Sequence, residues 1–214
     1  MPEKFDFKKE YKDLYLPKSK PMLIDVPPMN FIMFDGAGDP SGEEYQQAIG
    51  VLYTLTFTIK MSKMSGSQPP GYHEYVVPPF EGLWWISGGA FSFEERENWL
   101  WTSMIRQPEF VTPEVFAWAL EVCRCKKPEL DLSKARFETF IEGLCVQIMH
   151  LGPYADEPRS VALLKAYMAE NGLLDQTSSE RKHHEIYLSD PRKTAPEKLK
   201  TVLRHPVYRI INTN

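Results

Sequence analysis

Along this chain the spacing of apolar side chains changes period several times, and each change marks an element. Between residues 42 and 60, Tyr45, Ile49, Leu52, Tyr53 and Thr56 recur at three- and four-residue steps, which predicts a helix with one buried face. Residues 112–126 open on Thr112 as a cap and Pro113 at the first helical position, so a second helix is expected there. A third spans 157–170 and stops at Asn171-Gly172. Runs rich in aromatic and β-branched residues predict strands at 29–34, 72–77, 82–87, 99–106, 144–150, 183–189 and 198–208, with a short extended piece at 136–140.

The order repeats. Tyr72-His73-Glu74-Tyr75-Val76-Val77 is echoed by His183-His184-Glu185-Ile186-Tyr187-Leu188, and Met104-Ile105-Arg106-Gln107-Pro108 by Val202-Leu203-Arg204-His205-Pro206. Each half reads strand, helix, strand, strand. The expectation is an α+β fold of two pseudo-symmetric modules, helices packed on antiparallel sheet, around a central cleft. Residues 1–28 form an N-terminal arm and 29–214 one ligand-binding domain: module one about 29–108, a connector helix about 112–135, and module two about 136–210.

Composition narrows the function. With 214 residues, 43% hydrophobic and 25% charged, the chain is an ordinary globular protein with enough length for a core. A net charge of −4 without a dense basic run argues against nucleic acid as a partner. The apolar stretches are too broken for a membrane span, and the charged opening does not read as a secretory leader. Three cysteines suit reduced thiols in a cytoplasm, and neither they nor the five histidines show metal-ligand spacing, so no metal and no cofactor is expected.

Strand alternation puts His183, Glu185 and Tyr187 on one face and His184, Ile186 and Leu188 on the other, where the apolar pair suggests packing under a helix. A carboxylate on a half-buried strand is costly unless it has a partner, a ligand or a reaction. Glu185 paired with Arg181, Lys182 or Arg204 is the structural alternative. Glu74, its counterpart in the echo, reads as solvated or structural.

Several segments together, Tyr15-Leu16-Pro17, Phe34-Asp35-Gly36-Ala37-Gly38-Asp39-Pro40, Glu81-Gly82-Leu83-Trp84-Trp85, Gln147-Ile148-Met149-His150-Leu151-Gly152-Pro153-Tyr154 and His184-Glu185-Ile186-Tyr187-Leu188-Ser189-Asp190-Pro191, resemble the GyrI-like small-molecule-binding proteins. The resemblance implies two strand-helix-strand-strand modules around one ligand cleft, with Glu185 facing it. The Trp-rich middle strands and the lack of room for a DNA-binding segment are more similar to a branch described as cyclopropanoid hydrolases, which open the cyclopropane of yatakemycin-type DNA alkylators. On that reading Glu185, Tyr53 and Tyr154 are the catalytic candidates. Phe57, Trp84, Trp85, Trp99, Trp101, Met149 and Tyr187 form the expected lining for a flat, hydrophobic or cationic molecule. A non-enzymatic sensor or sequestering protein is the other class, with Glu185 neutralising a bound lipophilic cation.

Overall fold

In the computed structural model, described over residues 4–87 and 96–210, nine strands form one extended antiparallel sheet, with three long helices on one face and two single-turn helices on the other. The first half supplies β2 (Met29–Ala37), α3 (Glu43–Lys60), β3 (Phe80–Ile86) and β4 (Trp99–Arg106); the second supplies β6 (Gly143–Leu151), α5 (Glu157–Glu170), β8 (His183–Tyr187) and β9 (Lys200–Arg209). These are the two modules. Around them lie α1 (Phe7–Glu10), α2 (Lys12–Tyr15), β1 (Met22–Val26), α4 (Pro113–Lys126), β5 (Ala135–Phe140) and β7 (Leu173–Asp175). The sheet runs β1-β6-β9-β8-β3-β4-β2-β5, with β7 paired to β9.

The two halves therefore join where β3 meets β8, in the register Phe80↔Tyr187, Gly82↔Glu185 and Trp84↔His183. This corrects the sequence echo. Residues 72–77 form no strand: Tyr75 makes a single bridge to Phe5, Glu74 pairs with Lys63, and Pro78-Pro79 cannot extend a ladder. The counterpart of β8 is β3. The second echo holds, since residues 104–108 and 202–206 lie on or directly after the last strand of each module.

The flanking segments cross over. β5 extends the first module by pairing with β2, although it follows the connector, and β1, from the N-terminal arm, extends the second by pairing with β6. Short isolated runs carry little periodicity, which is why β1 and β7 escape a pattern reading.

Two cores result. Beneath α3 and α4, Ile32, Leu52, Leu55, Phe80, Trp84, Trp101 and Ile105 pack together, and α5 covers Val146, Ile148 and Leu203 in the second half. On the opposite face the arm lays Phe7, Leu14 and Tyr15 over Leu83, Met104, Met149, Ile186 and Val202. The His184 and Ile186 face is thus covered by two single-turn helices rather than a long one. Gly36 fits against this packing because a Cβ there would lie 2.2 Å from the Trp101 ring.

Candidate functional site

The odd positions of β8 and the even positions of β3 share the sheet face roofed by α3 and α5. Gly82 is the opening between them: a Cβ there would sit 2.8 Å from Trp84 Nε1 and 3.3 Å from the Tyr187 hydroxyl. Without that Cβ the two side chains meet. Trp84 Nε1 donates to Tyr187 Oη at 3.0 Å. An indole can only donate, so the Tyr187 proton points onward, to Glu185 Oε2 at 2.7 Å.

The other oxygen of Glu185 meets a histidine. His183 Nε2 lies 3.0 Å from Glu185 Oε1, His183 Nδ1 lies 2.8 Å from His205 Nε2, and His205 Nδ1 lies 3.0 Å from Asp175 Oδ2. Glu185 is 6% exposed, and Glu157, at the start of α5, is 2% exposed and turned toward it. Burial and then the charge of Glu185 raise Glu157 well above the carboxylate range. Both effects favour the protonated form of Glu157 beside Glu185; its Oε1 has no partner among the described residues.

Glu157, His183 and Glu185 each place one ligand atom within 4.8 Å of the others, a spacing also open to a cation. Both nitrogens of His183 and both oxygens of Glu185 also lie within hydrogen-bond reach of protein groups.

Aromatic rings wall this cluster. Tyr154 meets Tyr187 edge-on with centroids 5.8 Å apart, Phe80 stacks on Tyr187 at 5.9 Å, and Trp84 contacts Tyr45 at 5.5 Å and Trp99 at 5.3 Å. Tyr53 stacks on Phe80 at 6.3 Å and on Phe57 at 6.2 Å. Burial, with Glu157 and Glu185 adding to it, pushes the Tyr154 hydroxyl up to about 12. Burial likewise raises Tyr53, which also feels Arg192 and Asp190 on the loop after β8.

The structure thus brings together Glu185, Tyr187, Tyr154, Trp84 and Trp99, with Tyr53 connected to them through Phe80. Phe57 continues that stack outward and is 45% exposed. Trp101 shares the face but is fully buried against Phe34 and Tyr45, backing the wall rather than lining it. Trp85 and Met149 lie on the opposite face, because one step along a strand reverses the side chain. Trp85 lies under Lys182, 3.9 Å from its ring, beside a surface groove, and Met149 joins the core under the arm.

Sequence reasoning passed over Tyr45, Glu157, Asp175, His205 and the partnership of His183. The signal for Glu157 was present: it begins the series Val161, Leu164 and Met168 on the buried face of α5. The proposed ion pairs do not form. Arg204 binds Glu142 and Gln147 on the far face, Arg181 binds backbone carbonyls, and Lys182 covers Trp85.

Back to back with Glu185, His184 bridges Glu81 at 2.9 Å and Glu142 at 3.0 Å, and Glu142 also holds Arg204 at 2.8 Å. Burial opposes a charge on His184, but Glu142 and Glu81 outweigh it and lift the imidazole to about 9. Burial opposes the Glu142 charge too, yet His184 and Arg204 hold it down at about 2. Arg204 also donates to the carbonyl of Leu14, and Gln147 to that of Asp13, so this network ties the arm to the sheet.

The model of the GyrI-like small-molecule-binding domain matches residues 19–207. An uncharacterized conserved protein from Listeria innocua is 56% identical, over 96% of this chain and 100% of its own, with a TM-score of 0.93. A hydrolase from Listeria innocua is 54% identical over the same shares, with a TM-score of 0.89. The C-terminal domain of EcmrR, 13% identical over 89% of this chain and 98% of its own, has a TM-score of 0.54, a likeness of fold alone. No curated protein matches the chain.

Proposed function

The chain belongs to the GyrI-like small-molecule-binding family, and from that premise we propose that it holds flat, hydrophobic or cationic molecules against the aromatic wall and hydrolyses a cyclopropane fused to a dienone, as in yatakemycin-type genotoxins. One observation carries the reading. Glu185 is a nearly dry carboxylate, fixed by Tyr187 and His183 and edged by π-faces, an expensive arrangement to maintain for packing alone. The 54% identical hydrolase from Listeria innocua supports hydrolytic chemistry.

In such a reaction water attacks the cyclopropane carbon, the ring C–C bond breaks, and its electron pair moves through the dienone to the distant carbonyl, which becomes a phenol. Glu185 accepts the proton of the attacking water. Tyr154, still protonated at neutral pH, donates toward the developing phenolate, with Tyr53 as a second donor. The rings of Tyr187, Phe80 and Trp84 hold a flat substrate and keep bulk water away. Incubation of the protein with a cyclopropanoid is expected to give a product heavier by one water. Undiminished turnover by Glu185→Gln would remove Glu185 from the chemistry.

The pairing of Glu157 with Glu185 favours a second reading, sequestration of a lipophilic cation, because loss of the Glu157 proton would add a negative charge among aromatic faces. Tight binding of a cationic dye, with no hydrated product from any cyclopropanoid, would select it.

A further inference from the structure

The chain Glu185, His183, His205 and Asp175 has three contacts of hydrogen-bond length, at 3.0, 2.8 and 3.0 Å. Three such bonds need three protons. Two neutral imidazoles supply two, and ionised carboxylates supply none. If His205 donates to Asp175 and His183 donates to His205, then His183 Nε2 and Glu185 Oε1 face each other with lone pairs only. One more proton has to reside on Glu185, His183 or His205 for all three bonds to form.

The chain also leads outward. The side chains of His183, His205 and Glu185 are 1%, 5% and 8% exposed, whereas that of Asp175, on β7, is 26% exposed. Asp175 is fixed as the anionic end, since Thr177 donates to it through its backbone N–H at 2.9 Å and its hydroxyl at 2.6 Å. His183 and His205 cross edge-on, 4.9 Å between centroids, which aims the nitrogen of one ring at the nitrogen of the other.

We propose that His183, His205 and Asp175 form a proton relay that connects Glu185 to solvent. This rests on the reading of Glu185 as the base. The transfer balances without a co-reactant: the proton taken by Glu185 passes to His183 Nε2, the Nδ1 proton of His183 passes to His205 Nε2, and the Nδ1 proton of His205 passes to Asp175 Oδ2 and then to water. Both imidazoles end as the opposite tautomer, and Glu185 is again a carboxylate. His183 and His205 are positioning residues in this sense, since they act through Glu185. Several titratable and charged groups face the chain: Tyr187 on β8, Glu157 and Lys165 on α5, Tyr45 on α3, Tyr154 before α5, and Arg96, which acts on Glu157.

Two variants separate relay from support. His205→Gln keeps one donor and one acceptor beside His183 but cannot pass a proton, and Asp175→Asn removes the anionic end. Hydrolysis of a cyclopropanoid across pH by folded variants is expected to show kcat falling by about 10-fold or more with KM within about two-fold. The pH profile is expected to change as well. Wild-type kcat and pH profile in folded His205→Gln would overturn the relay. Nitrogen NMR of histidine-labelled wild-type protein provides a test without turnover: coupled titration of His183 and His205 supports the shared proton, and two independent neutral imidazoles refute it. If the wild-type protein hydrolyses no cyclopropanoid, the proposed activity fails, while the NMR result still decides the proton count.

Discussion

Raising the pH should discharge an imidazole in the middle of the sheet, and the structure sets the cost. His184 is completely buried and bridges Glu81 and Glu142, and its pKa is lifted to about 9. In the unfolded chain it titrates at roughly 6.5. A histidine that holds its proton more tightly when folded contributes stability in full below the unfolded value and loses it as pH rises through the folded one. The interval from 6.5 to about 9, at about 1.4 kcal/mol per pH unit, corresponds to about 3 kcal/mol. Glu142 reports the same contacts from the acid side, where stability falls as pH drops from 4.5 through about 2, so the two contributions are not added. Urea unfolding between roughly pH 6 and pH 9.5 measures the effect, and His184→Gln serves as the reference that removes this group while leaving cysteines and lysines to titrate. A wild-type stability that stays flat across the interval, or falls no more steeply than that of His184→Gln, would refute the argument.

Other substitutions probe the same frame. Gly36→Ala would drive a Cβ into the Trp101 ring, 2.2 Å away, and is expected to cost about 1–3 kcal/mol, seen as a lower urea midpoint. Tyr187→Phe removes the donor to Glu185 and leaves the Trp84 indole without its acceptor, and kinetics should show turnover reduced by about 10-fold or more with the fold kept. Thr112→Ala deletes the side-chain cap on the N–H of Val115 and should cost about 1 kcal/mol by the same unfolding assay, with no effect on turnover.

The elements legible in the sequence were those with strong periodicity or clear end signals. The helix over 157–170 and the strand over 99–106 appear as α5 and β4 with the expected bounds, and the helix capped by Thr112 starts at Pro113 and ends at Lys126, as its end signals indicate. Residues 72–77 misled because aromatic and β-branched content describes a half-buried surface, not a ladder, and the prolines after them leave β3 as the partner of β8. Alternation placed Glu185 with His183 and Tyr187 on one face, but the proximity of Trp84, Glu157, His205 and Asp175 depends on pairing register and on where α5 docks. Those are long-range facts that no local pattern encodes. The same limit explains Trp85: adjacent tryptophans must face opposite ways, and only the register identifies Trp84 as the inward one.

The join between β3 and β8 is where the two halves are wired together. The first module brings the indole of Trp84 and the ring of Phe80, while the second brings Glu185, Glu157 and their histidines. Rings come from both halves, because Tyr187 and Tyr154 of the second stand beside Phe80 and Trp84 of the first. A change of the Trp84 ring is therefore felt across the join, through Tyr187, at the carboxylate of Glu185.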